Sequence, residues 1–524
     1  MKLALLQLGT AGVEGAAANL EAALAAIDAA GAGGAQLAIL PEATYPAYLL
    51  GRNWRERGDL VSFARLVELL GERARRWGMG ICAGLADRER GTNSAVLVAP
   101  DGSPAGRHDK VFLWHFDSRW FVRGRSFAAW DLPWGKTGML ICADARYPEG
   151  ARLLALRGAA LILDPAGLVA VGKDFSNSQL DYLLPVRAAE NGLHLALAGK
   201  VGHEGGFIRY AGGSAVFAPD GTRPAGAVTD AAQTLAVEVD LTAGKLPFPV
   251  SRRPELYGDL CRRLAPAFAP PVPRACLAAA LCLPRATAPA QTLADLAPGL
   301  AAAQTRLLLF PPVPKEPDLF GLYAADRNLP ALLEATRKAP WTLVVPLLEE
   351  GSGNGVLHHT GYVLEGGRIL GKKRATHLPP GSRFRPGNRL EPVETPWGRL
   401  GIMLGPEGLV PEVARILALH GAETLCWAAG SIPAGVGLPA LAFARARADE
   451  NRVNLLLAAR APEGAAVVAA GGGVLGLARP EEVAAALGRL DRWAARDKEL
   501  VPGTDLFADR HPEDYGLLAE VGAG

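Results

Sequence analysis

The chain has 524 residues, 49% hydrophobic and 21% charged, an ordinary globular balance with ample material for large buried cores. Its 55 basic and 53 acidic residues leave a net charge of +2 with no basic block, which argues against a nucleic-acid partner. Six cysteines are sparse and irregularly spaced, without C-x-x-C or H-E-x-x-H, so neither a disulfide framework nor a bound metal is expected, and the setting reads as reducing and cytoplasmic.

In chain order, "LALLQLG" reads as a first buried strand rather than a signal peptide. "NLEAALAAIDAA" carries Leu20, Leu24 and Ile27 at helical spacing, and "LAILPEA" is a second buried strand. A long helix follows, with Leu60, Phe63, Val67, Leu70, Ala74 and Trp77 on one face. "GMGICAGLA" is a strand, and "NSAVLVAPDGSPAGRHDK" is a hairpin turned at Pro100-Asp101-Gly102. Next come strand "TGMLICAD", helix "PEGARLLALRG", strand "ALILDPA", helix "LDYLLPVRAAENG" and strand "LHLALAGKV", then a hairpin at Pro219-Asp220-Gly221. This alternation predicts an α/β fold with helices covering sheet faces. Every apolar run is broken well short of the ~20 residues of a membrane span, so no membrane association is expected.

"RRLAPAFAPPVPR" loses periodicity and reads as a stiff linker, after which the alternation restarts. Pro133-Trp134-Gly135 returns as Pro396-Trp397-Gly398, and Pro148-Glu149 returns as Pro411-Glu412. Arg187, Glu190 and Asn191 return as Arg447, Glu450 and Asn451. The chain is therefore a duplicated domain. The expected organisation is a catalytic domain at 1–258, a Pro/Ala-rich linker at 259–274, a second domain at 275–502 and an extension at 503–524.

Three residues near strand ends carry chemistry. Cys142 closes "GMLIC" and opens a turn before Pro148, where N–H groups favour a thiolate. Glu42 ends "LAILPE", and Lys110 follows the first hairpin. Together they form an acyl-transfer set: Cys142 as nucleophile, Glu42 moving the proton and Lys110 countering the oxyanion. A pairing of Cys142 with His115 or His194 is the lesser alternative. Cys82 reads as a small core residue. The glycine runs "GAGGAQL" and "GGGVLG" lack the context of a nucleotide site, so no cofactor is expected.

With these residues in place the first half resembles the nitrilase, or carbon–nitrogen hydrolase, superfamily. "LAILPEATYP", "GRHDKVFL", "GKTGMLICADARYPE" and "RAAEN" followed by "YAGGSAVFAPDG" match its segments in order. The resemblance implies an α-β-β-α sandwich and a triad of Glu42, Lys110 and Cys142. It also implies a further acid near the substrate, for which Asp117 is the counterpart, although the family usually has glutamate there. The family's frequent Lys-x-His-Leu is here Lys110-Val111-Phe112-Leu113. Cys-x-Asp after the nucleophile is more similar to amidases and carbamoylases than to true nitrilases, so a small linear amide is the expected substrate. Nitrile hydrolysis and amide-forming acyl transfer share the same acyl-enzyme, and a catalytically inactive scaffold is the rival from another class. Ala143 and Arg146 are candidate substrate-binding residues because they follow the nucleophile.

In the second half the corresponding positions are Pro312, Ala375 and Gly405. None can do acid–base or nucleophilic work. The expectation is a degenerate copy that pairs with the first half as an intrachain pseudo-dimer, with further homo-oligomerisation left open.

Overall fold

The computed structural model describes residues 1–170, 176–227, 230–241, 248, 250–266, 268, 273–282, 289–312, 319–352, 355–460, 462–479 and 484–522. The chain divides into one compact unit of Met1–Pro247 with Leu500–Asp505 and Gly522–Gly524, and a second of Phe248–Glu499 with Leu506–Val521. The proline-rich stretch expected to link the halves lies partly outside the described residues. No helix among the described residues is long and apolar enough to cross a membrane.

In the first unit, continuous apolar runs become buried strands and amphipathic segments become covering helices. The elements are β1 (Lys2–Gln7), α1 (Ala16–Ala32), β2 (Leu37–Ile39), α2 (Phe63–Trp77), β3 (Gly80–Asp87), β4 (Thr92–Val98) and β5 (Pro104–Asp109). They continue with β6 (Ala129–Leu132), β7 (Gly135–Met139), α3 (Pro148–Leu156), β8 (Leu161–Ala166), α4 (Leu184–Asn191) and β9 (His194–Gly199). A small hairpin of β10 (His203–Glu204) and β11 (Ile208–Arg209) precedes β12 (Ala215–Phe217), β13 (Ala225–Gly226) and β14 (Gln233–Glu238).

One sheet has the order β14-β1-β2-β3-β4-β5 and the other β13-β12-β9-β8-β7-β6. In each, three central strands run parallel and the outer pairings are antiparallel. Cys82 on β3 lies wholly buried with its Sγ 3.7 Å from Met139 Sδ on β7, so the sheets pack face to face there. It is the small core residue expected. Helices α1 and α2 bury Ile27, Ala30, Leu66, Leu70 and Ala74 in the cluster on the outer side of the first sheet. α2 begins later than its apolar spacing suggested: Ser62 caps it by accepting the Arg65 N–H, so Leu60 precedes the helix, still buried.

The helix read at "LDYLLPVRAAENG" starts as a π-turn at Gln179–Leu183 before α4. Pro185 has no N–H to donate to the preceding turn, which accounts for the widening. Arg187 on α4 is buried, pairs with Glu190 at 2.8 Å and donates to the carbonyls of Ala145 and Arg146, both at 3.0 Å. It thereby fastens α4 to the turn that follows Cys142.

The second unit repeats this plan. One sheet runs Arg368–Arg374, Leu357–Glu365, Thr342–Glu350, Leu307–Leu309, Ala275–Cys282 and Ala484–Asp491. The other runs Val393–Thr395, Gly398–Leu404, Thr424–Ala428, Asn454–Ala458, Ala465–Val468 and Val474–Ala478. Arg447 repeats the role of Arg187, pairing with Glu450 at 2.7 Å and donating to the Gly408 and Leu409 carbonyls.

Candidate active site

Glu42, Lys110, Cys142 and Asp117 meet at the strand ends of the first unit. Glu42 lies just beyond β2, where the chain crosses β3 so closely that a Cβ on Gly84 would sit 2.3 Å from the Pro41 carbonyl oxygen. Lys110 follows β5, and its N–H donates to the Asn93 carbonyl. Its Nζ lies 2.7 Å from Glu42 Oε1 and 2.7 Å from Asp117 Oδ2. Asn93 Nδ2 donates to the same Glu42 Oε1 at 2.7 Å, and the Gly167 N–H donates to Oε2 at 2.9 Å. The Glu42 charge also acts on the Cys142 thiol beside it.

Cys142 opens a short 3-10 turn, Cys142–Arg146, between β7 and α3. Its backbone φ of 51° is left-handed, a conformation that costs a non-glycine residue on the order of 1 kcal/mol. The turn is pinned at both ends. The Cys142 N–H donates to Asp164 Oδ1 at 2.7 Å. Asp144 accepts the N–H groups of Val111, Phe112 and Ile141 and pairs with His108 Nε2 at 2.8 Å. Asp144 therefore ties the lysine segment to the cysteine turn.

Burial and charge act against each other here. Burial works to raise the pKa of Glu42, but the Lys110 charge and the donors around it hold the carboxyl below its ordinary value. Burial also works to lower that of Lys110, yet Asp117 and Glu42 push it well up. Asp117 is raised, by burial and the Glu42 charge against the pull of Lys110. Burial, then the Glu42 charge, pushes the Cys142 thiol well above its ordinary value. This corrects the expectation of a thiolate favoured by the turn: the resting group is a thiol, because desolvation beside a carboxylate outweighs a few N–H dipoles.

Of the other expected residues, Ala143 is buried, and the Arg146 guanidinium stacks on Trp114 at 4.8 Å. In the segment after Lys110, Phe112 is core, stacked on Tyr147 at 3.6 Å, whereas Trp114, His115, Phe116 and Trp120 are half-buried. His115 Nδ1 bonds the Pro502 carbonyl at 2.8 Å. The sequence reading did not single out Asn93, Asp164, Lys200 or Glu204. Lys200 Nζ donates to the Ala43 carbonyl at 2.9 Å and lies 4.0 Å from Glu204, whose carboxylate also accepts the Tyr48 and Leu49 N–H groups and the Tyr210 hydroxyl. The backbone sets Asn93 opposite His359, through the N–H groups of Lys110 and Ala375, and the sequence repeat sets Lys200 opposite Arg460.

In the second unit Pro312, Ala375 and Gly405 line one cavity of about 550 Å³. The backbone supports matching Ala375 to Lys110: its N–H donates to the His359 carbonyl and its carbonyl accepts the Gly387 N–H, as Lys110 does with Asn93 and Gly124. The nearby lysines are engaged elsewhere, Lys373 with buried Glu407 and Lys372 with Glu349 at 2.8 Å. Gly405 keeps the left-handed backbone, φ 57°, where Cys142 carries strain.

Burial holds two histidines of this unit, His359 and His377, down to about 4. Unfolded, each titrates near 6.5, so its stabilising contribution is complete above that value and is lost as pH falls toward 4. A full shift corresponds to an upper figure on the order of 3 kcal/mol each. The melting temperature should drop across pH 6.5 to 4, and the slope should flatten in His359→Gln and His377→Gln; an unchanged slope in both would refute the assignment.

Comparison with known proteins places these observations. The carbon–nitrogen hydrolase family model matches residues 2–245 and again 284–492. A protein named nitrilase from Pyrococcus abyssi is 34% identical over 195 residues, 36% of this chain and 70% of its own length. An (R)-stereoselective amidase from a Pseudomonas species is 31% identical over 231 residues, 42% of this chain and 78% of its own length. The crystal structure of an amidase from a Nesterenkonia species aligns at 30% identity and a TM-score of 0.41, covering 46% of this chain and 90% of that one. With both halves matched by the family model, the chain belongs to the carbon–nitrogen hydrolase family, as a tandem duplication in which Pro312, Ala375 and Gly405 stand opposite Glu42, Lys110 and Cys142.

Proposed function

We propose that the first half hydrolyses the C–N bond of a small linear amide through an acyl-enzyme on Cys142. The observation that carries this is one buried carboxylate: Glu42 bonds the Lys110 ammonium at 2.7 Å and lies close enough to the Cys142 thiol for its charge to act on it. A thiol with a raised pKa needs a base beside it, and Glu42, held ionised, is that base.

Glu42 takes the thiol proton as Sγ bonds to the amide carbonyl carbon. The oxyanion is met by the Lys110 ammonium and by N–H groups at the start of the turn, including that of Ala143. Protonated Glu42 gives its proton to the leaving nitrogen, the C–N bond breaks, and ammonia or an amine departs. Glu42 then takes a proton from water, whose oxygen attacks the thioester. Collapse breaks the C–S bond, releases the carboxylic acid and returns the proton to sulfur. Asp117 keeps Lys110 charged and aimed. Arg146, held against Trp114, contributes to substrate binding. The names of the nitrilase and amidase relatives support the reaction class.

The test is partitioning. A primary amide, an anilide and a methyl ester of one acyl group are turned over in the presence of hydroxylamine. One common acyl-enzyme yields the same ratio of hydroxamate to acid from all three. A ratio that changes with the leaving group would refute the intermediate.

A further inference from the structure

We propose that the cavity of the second half is a binding site for a small organic carboxylate, held by Arg460. The cavity, about 550 Å³, lies within the size range of small-molecule sites. Pro312, Ala375, Leu378, Leu404 and Ile432 give it apolar walls. Arg460 and His359 also line it.

Arg460 is the observation that calls for an anion. Its Nε donates to the Pro312 carbonyl at 2.8 Å, but its Nη1 is buried without a partner. Among the described residues, no carboxylate pairs with it within 4.0 Å. Glu463 lines the same cavity, yet its Oε2 accepts the Ala440 N–H at 2.8 Å and no pair with Arg460 forms. Burial alone pulls the Arg460 pKa below its ordinary value, with no opposing charge. A partly desolvated guanidinium in a fork geometry matches a carboxylate.

The first half shows what has been removed. There the equivalent cation, Lys200, is answered by Glu204 four residues on. Four residues after Arg460 stands Gly464. The second half keeps a cation there whose nearest acid in sequence, Glu463, is turned to the Ala440 N–H, and Pro312, Ala375 and Gly405 stand opposite Glu42, Lys110 and Cys142. A Cβ on Gly405 would meet no heavy atom within 4 Å, so that floor is open space. His359, with its Nε2 buried and unpartnered and its pKa held near 4, stays neutral at pH 7 and adds one polar contact without competing charge. One cation on largely apolar walls, with the Glu463 carboxylate already bonded to the Ala440 N–H, favours a monocarboxylate with a short hydrocarbon body over the more highly charged inorganic phosphate. The acids released by amide hydrolysis are of this class, but the binding itself does not depend on the first half's reaction.

The test is calorimetric titration of the full chain with acetate, butyrate and benzoate, each beside its neutral amide. The expected result is one site for at least one of the acids, with the matching amide at least tenfold weaker there. Arg460→Gln should weaken that site at least tenfold, and Arg460→Lys should retain most of the affinity. Gly430→Leu should abolish it by filling the cavity, since a Cβ there meets only Gly405 Cα at 3.7 Å. Cys142→Ala should leave it unchanged. Absence of heat with all three acids would overturn the proposal. Binding that survives Arg460→Gln, or that is lost in Cys142→Ala instead, would also overturn it.

Discussion

Cys142→Ala is expected to abolish amide hydrolysis, by roughly 10⁴-fold or more, while shifting the melting temperature by no more than a few degrees. The thiol is small and nearly buried, at 9% exposure, and its removal leaves the Glu42–Lys110 pair in place. Alanine keeps the Cβ, so it keeps the left-handed strain at φ 51°. Cys142→Gly removes both thiol and strain and reproduces the Gly405 of the second half. It should be equally inactive yet melt at or above Cys142→Ala, because glycine holds this backbone at a saving on the order of 1 kcal/mol. Turnover assays and melting curves of the two variants check this together. Normal turnover in either would end the mechanism, and a glycine variant that melts well below the alanine one would end the strain argument.

Lys110→Met should lose both turnover and stability. The ammonium is 1% exposed and sits between two carboxylates, each at 2.7 Å. Its removal leaves Glu42 and Asp117 facing each other in the interior without a counter-charge, a defect of about 3–5 kcal/mol. The pH dependence then has a definite sign. In the natural chain Glu42 has a lowered pKa, so its stabilising contribution is present above the ordinary carboxylate value and is lost as pH falls through the folded one. In Lys110→Met the Glu42 carboxyl rises instead and that of Asp117, already raised, rises further, so a proton can replace the missing charge. The stability gap to the natural chain should therefore narrow on acidification from pH 7 to pH 5, as read by urea unfolding. Asp117→Asn added to Lys110→Met should recover part of the stability and none of the activity. A gap that widens toward pH 5 would show that the three groups are not coupled as their distances indicate.

Strand-end placement is why Glu42, Lys110 and Cys142 were legible in the sequence. Each ends or follows a strand of an α/β pattern, and such ends converge on one edge of the sheets. The repeated anchors likewise exposed the duplication, since Pro133-Trp134-Gly135 returns as Pro396-Trp397-Gly398 and Arg187, Glu190 and Asn191 return as Arg447, Glu450 and Asn451. Asn93, Lys200 and Glu204 were not legible. An asparagine in a strand and a lysine at a strand end are common, and only the fold brings Asn93 to Glu42, 51 residues away. Asp144 was visible as the acid two residues after the cysteine, but not as the clasp between His108, Val111, Phe112 and Ile141. The thiolate expectation failed because a local turn dipole is readable from sequence, whereas desolvation depends on everything packed around the sulfur.

Native-state alkylation tests the central claim most directly. The chain and Glu42→Gln are treated with limiting iodoacetamide at neutral pH, and the label is mapped by peptide mass. Cys82, Cys276 and Cys426 are buried, with thiols raised chiefly by burial. The account predicts that Cys142 labels first in the natural chain and slows at least tenfold in Glu42→Gln. Labelling of Cys142 no faster than that of Cys82 or Cys426, or a rate indifferent to Glu42, would contradict it.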